Sequence, residues 1–144
     1  MVDGTSIGVS EQTYNRVPLG GCVVDSGTNT FLLPNSIFKP FQLTFQGLMC
    51  DGSSSIPGAC DPSGGLFQGE CYPYSQSQID SFPDIQINLN GVMLEIQGSD
   101  YIVDDGTGDG NYCLGVVNTG PGGLLIIGDV VMQEYYVIFD KVNK

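Results

Sequence analysis

Gly21-Cys22-Val23-Val24-Asp25-Ser26-Gly27-Thr28 is the stretch on which the reading of this chain turns. An apolar run with strand character leads straight into a carboxylate, and Ser-Gly-Thr follows. Gly27 permits a sharp turn that brings backbone N–H groups near the carboxylate. Ser26 and Thr28 offer hydroxyls to bond and orient it. An aspartate at the end of a buried strand needs such support, because an unsatisfied buried charge is costly. A strand running into an Asp-Ser-Gly turn is also common as plain structure, so this segment alone leaves both readings open.

About one hundred residues later a second apolar run, Leu124-Leu125-Ile126-Ile127, ends in Gly128-Asp129. Between the two, strand signals dominate. Ile85, Ile87 and Leu89 alternate over 84–89, Asn90-Gly91 follows, and Val92, Leu94 and Ile96 alternate again. Asn-Gly accepts the positive φ angles of a type I′ turn, so this is a hairpin. Residues 112–117 and 135–139 also read as strands, and the continuous apolar runs 22–24 and 124–127 as buried strands. Helix signals are short. One follows Pro34-Asn35-Ser36, with Ile37, Phe38 and Phe41 on one side and Pro40 limiting it. Another starts at Asp129 and carries Val130, Val131 and Met132. The Ser-, Gly- and Pro-rich stretch 51–69 reads as a long surface loop, and 104–110 as a hairpin tip. No internal repeat or domain boundary is visible, so the expectation is one all-β domain with two short helices.

Composition narrows the function. A chain of 144 residues, 41% apolar, is long enough for one core. Four basic residues stand against sixteen acidic ones, for a net charge of −12. Phosphate backbones and anionic lipid surfaces would be repelled, so neither nucleic acid nor membrane is an expected partner. An acidic surface with few Lys or Arg suits work at low pH, and equally suits ordinary solubility. The absence of histidine removes Ser-His-Asp, Cys-His and most zinc chemistry. No apolar run approaches the roughly 20 residues of a membrane span. Met1-Val2-Asp3-Gly4-Thr5-Ser6 has neither the basic segment nor the apolar core of a signal peptide. Cys22, Cys50, Cys60, Cys71 and Cys113 include no CxxC pair, so no metal site is expected. They read as disulfides formed in an oxidising compartment, with an upstream signal segment removed. Asp105-x-Thr107-x-Asp109-Gly110 opens like a calcium loop, but its twelfth position is Val116 rather than Glu. Gly120-Pro121-Gly122-Gly123 has no lysine nearby and reads as a turn, not a phosphate cradle. Tyr72, Tyr74, Tyr135 and Tyr136 read as strand packing. No cofactor is implied.

Taken in order, these segments resemble the C-terminal lobe of the pepsin-like aspartic peptidases. That family pairs an apolar-apolar-Asp-Ser/Thr-Gly-Ser/Thr motif with a later apolar-apolar-Gly strand that threads past it in a psi-shaped loop. The matching residues are Val23 through Thr28 and Ile126-Ile127-Gly128. Phe82-Pro83-Asp84-Ile85, Tyr101-Ile102, Gly128-Asp129-Val130 and Tyr135-Tyr136-Val137-Ile138-Phe139-Asp140 resemble further family segments. The resemblance spans residue 3 to the end, so 1–144 is expected to be one lobe of the bilobal acid-protease fold. It implies that Asp25 is catalytic, supported by Ser26, Gly27 and Thr28. It places Thr28, Ile127 and Gly128 on the substrate side. It matches Cys71 and Cys113 to the lobe's disulfide, on either side of the Asn-Gly hairpin. Cys50 and Cys60 are candidates for closing the long loop, and Cys22 is left as a free core thiol.

Departures from the family pattern shape the functional expectation. Asp3-Gly4-Thr5 and Asp105-Gly106-Thr107 lack the residue between Asp and Gly and the apolar strand before it. Only one site therefore fits, and the partner lobe with its aspartate is absent. The chain also stops at Asn143-Lys144, short of the usual closing strand. The resemblance thus implies an aspartic endopeptidase acting on peptide or protein substrates, of which this chain is one lobe, inactive alone. A second copy completing the site as a homodimer, and a lobe kept only for peptide binding, are the alternatives. The implied location is the secretory pathway, a lysosome or vacuole, or the extracellular space.

Overall fold

The computed structural model describes residues 1–50, 56–60 and 63–140. The chain-end reading at Asn143-Lys144 lies outside the described residues, as do 51–55 and 61–62 of the long loop. Helix α1 (Glu11–Asn15) precedes β1 (Cys22–Val24) and β2 (Phe31–Leu33). Helix α2 (Asn35–Met49) and the one-turn α3 (Gln76–Ile79) lead to β3 (Ile85–Leu89) and β4 (Val92–Ile96). Then come α4 (Gly98–Tyr101), β5 (Ile102–Asp104), β6 (Tyr112–Leu114), β7 (Val116–Asn118), β8 (Leu125–Ile127) and α5 (Asp129–Met132).

The strands read at 22–24, 84–89, 92–96 and 124–127 match the structure, but β2 and β5 were not read and the helices were undercounted. The described residues form five, one of them 15 residues long. The unread ones are α1, α3 and α4; α2 was expected but is longer, because it runs straight through Pro40. Proline inside a helix costs roughly 3 kcal/mol, because a donor is lost and the ring crowds the preceding turn. Here Ile37, Phe38, Phe41, Phe45 and Met49 form one buried stripe. At about 1.5–3 kcal/mol for each large side chain, that burial outweighs the proline. Phe45 meets Phe67 edge-on with ring centroids 5.4 Å apart.

Four strands form the central sheet in the order β1-β8-β2-β7. β8 runs parallel to β1, pairing Val24 with Ile127, and antiparallel to β2, pairing Leu32 with Ile126. β1 and β2 are consecutive in sequence, yet β8 lies between them. The 25–30 connection must therefore arch over the end of β8, and this threading creates the candidate site.

The β3–β4 hairpin turns on Asn90 and Gly91, at φ 49° and 91°, as the Asn-Gly signal requires. The 104–110 stretch joins β5 to β6, where Asp104 pairs with Tyr112. The strand read over 112–117 is broken: at Gly115 the chain leaves the β5–β6 hairpin and enters the central sheet as β7. Glycine in a strand pattern marks such a point, because backbone approaches there where a side chain cannot.

Three further expectations need correction. Residues 135–139 form no strand: their backbone enters no sheet pairing. The Tyr135 hydroxyl is pinned to β4, accepting from the Glu95 N–H at 2.6 Å and donating to the Glu95 carbonyl at 2.8 Å. Tyr136 is 93% exposed and packs no strand. The described part of 51–69 is not all surface: Ile56, Ala59, Leu66 and Phe67 belong to the core. β1 is not fully buried either. Cys22 and Val24 are exposed, and Cys22 faces a cavity of about 730 Å³ between the central sheet and the β3–β4 hairpin. Disulfides join Cys50 to Cys60 and Cys71 to Cys113, leaving Cys22 free. The Cys71–Cys113 bridge, 42 residues apart, removes roughly 4 kcal/mol of unfolded-state entropy.

Candidate active site

Asp25 begins the arch between β1 and β2. Its N–H donates to the Ile127 carbonyl at 3.0 Å, extending the β1–β8 pairing by one residue. Its side chain then meets two donors from its own turn. The Gly27 N–H reaches Oδ1 at 3.0 Å, and the Thr28 hydroxyl reaches Oδ2 at 2.7 Å. The Thr28 N–H closes the turn on the Asp25 carbonyl at 3.2 Å. The Thr28 hydroxyl, and secondly the Gly27 N–H, hold the Asp25 carboxyl below the ordinary carboxylate value, against a small opposing effect of burial. No carboxylate among the described residues acts on it, and one donor on each oxygen favours the charged form.

Space is tight at Gly27. A Cβ there would sit 3.3 Å from Asp25 Oδ1. Gly128 is more constrained: a Cβ would lie 2.2 Å from the Thr28 carbonyl oxygen and 2.3 Å from that of Thr30. The end of β8 thus passes directly under the arch. The N–H groups that follow it hold the arch from below, Asp129 to the Thr28 carbonyl at 2.7 Å and Val130 to the Asn29 carbonyl at 3.1 Å. Ile127 is buried beneath this contact and serves the core. Ser26 departs from expectation. It is exposed, and its hydroxyl does not bond the Asp25 carboxylate, because the turn directs the donors of residues 27 and 28 there instead.

A family model for eukaryotic aspartyl proteases matches residues 2–144. The chain belongs to that family. Pepsin A of Sus scrofa is 35% identical over 127 residues, covering 86% of this chain and 29% of the relative. Pepsin II-2/3 of Oryctolagus cuniculus is 39% identical over 140 residues, 96% of this chain and 32% of the relative. Cathepsin D of Clupea harengus is 29% identical over 147 residues, 97% of this chain and 32% of the relative. The chain therefore spans about a third of the length of these curated relatives.

Within this aspartyl protease chain, the structure brings Asp25, Gly27, Thr28, Ile127 and Gly128 together at one end of the central sheet. Asp105 lies elsewhere, at the tip of the β5–β6 hairpin, and Asp3 bonds the backbone of Asp84. Sequence reasoning missed the supports behind the arch: the N–H groups of Asp129 and Val130, and the Gly115 carbonyl, which accepts from the Phe31 N–H at 2.8 Å. The glycine inside the apolar pattern 112–117 was the signal for the last of these. Another family segment finds its role in packing: the buried Tyr101 hydroxyl donates to the Pro83 carbonyl at 2.5 Å.

Proposed function

We propose that this chain is one half of an aspartic endopeptidase, contributing Asp25 to a pair of carboxylates that activates water for peptide-bond hydrolysis. One observation carries the reading: a partly exposed carboxylate, held on each oxygen by a donor of a fixed arch, with no second carboxylate acting on it among the described residues. Two carboxylates brought into contact cannot both ionise, so one proton is shared. Asp25, already biased toward the charged form, takes the proton from the attacking water. The partner carboxyl polarises the scissile carbonyl, and the roles reverse as the amide breaks. Among the described residues no acid stands by Asp25 to complete the cycle.

The partner is a second lobe carrying its own aspartate. The exposure of Val24, directly before Asp25, supports a surface that another lobe covers. Peptides or proteins are the substrates. Two disulfides support an oxidising location, in the secretory pathway, a lysosome or vacuole, or outside the cell. No helix of the described residues is long and apolar enough to cross a membrane.

A fluorogenic-peptide assay over about pH 3 to 7 tests the reading, with the chain alone and with a pepsin-type N-terminal lobe added. The chain alone is expected to be silent at every concentration and active with the added lobe. Activity rising with the square of chain concentration would assign the second carboxylate to another copy of this chain. Activity linear in concentration, where light scattering shows a monomer, would refute the two-carboxylate requirement.

A further inference from the structure

Gly115 stands behind the arch, outside every motif that carries the family. It holds the chain at two places at once. Its carbonyl accepts from the Phe31 N–H at 2.8 Å, fixing the far end of the arch, and its own N–H donates to the Tyr101 carbonyl at 2.6 Å. Its φ is not in the left-handed region, so any residue tolerates its backbone conformation. Space alone demands glycine. A Cβ would sit 2.9 Å from Val130 Cγ2 and 3.0 Å from the Tyr101 carbonyl oxygen. Val130 is buried in α5. Its N–H holds the Asn29 carbonyl, the Asp129 N–H beside it holds the Thr28 carbonyl, and the Thr28 hydroxyl holds Asp25.

We propose that Gly115 is a positioning residue for Asp25. Its missing side chain lets Val130 seat against the corner between β6 and β7, and that seating fixes the Thr28–Asn29 backbone under the carboxylate. The catalytic meaning of this rests on the reading of Asp25 given above; the mechanical link does not. A methyl group on Gly115 displaces the Val130 side chain, tilts α5 and loosens both N–H anchors. A few tenths of an ångström at Thr28 is enough to lengthen a 2.7 Å hydrogen bond.

The experiment is an NMR titration of the Asp25 carboxyl carbon in the full chain. Gly115→Ala is expected to move its midpoint upward, because the Thr28 hydroxyl then donates less well, while Asp105 titrates as before. Val130→Ala, which loosens the same contact from the other side, is expected to move it the same way. In the double variant Gly115→Ala/Val130→Ala the volume is exchanged across the contact, and the midpoint is expected to return toward wild type. Ile87→Ala, in the β3–β4 hairpin, is the control: it lowers the melting temperature without moving Asp25. An unchanged Asp25 midpoint in a folded Gly115→Ala chain overturns the proposal. If that variant does not fold, an unchanged midpoint in Val130→Ala overturns it instead. The titration decides the positioning claim whether or not the reconstituted lobe cleaves peptide, so failure of the peptidase reading is a separate result.

Discussion

Asp25 and Asp105 each open a tight turn that ends in a threonine, and in both the hydrogen bonds of that turn hold the carboxyl below its ordinary range. The resemblance stops there. The donors at Asp25 are divided, one on each oxygen, whereas at Asp105 the Thr107 N–H and hydroxyl both fall on Oδ1, at 2.9 and 2.7 Å. The Asp105 turn is closed by its own neighbours, such as Asn111 and Asp104. The arch at Asp25 is tied to Gly115, Ile127, Asp129 and Val130, all more than 80 residues away in sequence. Turn chemistry makes a hydrogen-bonded carboxylate almost anywhere. A β-strand threaded between β1 and β2 makes one whose position is fixed by the whole sheet.

The sharpest way to break this comparison is to neutralise each carboxylate in turn. Asp25→Asn is expected to lower cleavage by the reconstituted two-lobe enzyme by about 100-fold or more, since the shared proton is lost. Asp105→Asn is expected to leave the rate within about twofold, as an exposed hairpin tip outside the site. Both swaps are nearly isosteric, so circular dichroism is expected to match wild type, with only a modest loss of melting temperature at neutral pH from the charge removed. Residual activity above about 1% in Asp25→Asn would remove Asp25 from the mechanism.

The glycines of the two regions give a smaller contrast, read in urea midpoints. Gly128→Ala drives a methyl group into two backbone carbonyls, neither of which can rotate away. A cost of about 3 kcal/mol is expected. Gly106→Ala, in the Asp105 turn, meets open space and suffers only from its φ of +75°, a cost of about 1 kcal/mol. Equal losses would mean that the threading of β8 places no special demand on Gly128.

The same contrast explains how far the sequence could be read. Local chemistry was legible: the Asn90-Gly91 turn, the alternation of β3 and β4, the start of α5 at Asp129. The pairing of Val23–Thr28 with Ile126–Gly128 was legible only through family resemblance, because no local signal states that β8 lies between β1 and β2. Burial overrode local rules at Pro40, where the Phe41 and Phe45 stripe carries the helix onward. Residues 112–117 read as one strand, yet Gly115 within them is the corner between two sheets. The exposure of Cys22 and Val24 was hidden because an apolar run announces that it will be covered, not what covers it. Tyr136 and Ile138 misled in the same way.

The smallest expected effect separates the two threonines. At Asp25 the threonine hydroxyl is the leading cause of the lowered pKa, and the Gly27 N–H comes second. At Asp105 the Thr107 backbone N–H leads and the hydroxyl follows. A valine keeps the backbone donor and removes only the hydroxyl. Thr28→Val is therefore expected to raise the Asp25 titration more than Thr107→Val raises that of Asp105. The sign for stability follows from linkage. A carboxyl depressed in the folded state stabilises it above the ordinary value of 3.8, and that contribution fades as pH falls through the folded value. The deficit in melting temperature of Thr28→Val is then expected to be full at about pH 6 and to shrink toward about pH 2. Asp84 runs the other way. Burial, with the negative charges of Glu95, Asp3 and Asp100, raises its pKa, so it destabilises the fold at neutral pH and is relieved on protonation. Asp84→Asn is expected to raise the neutral melting temperature, with a gain that disappears in acid. A Thr28→Val deficit that persisted undiminished at about pH 2 would show that the hydroxyl supports the arch rather than the charge.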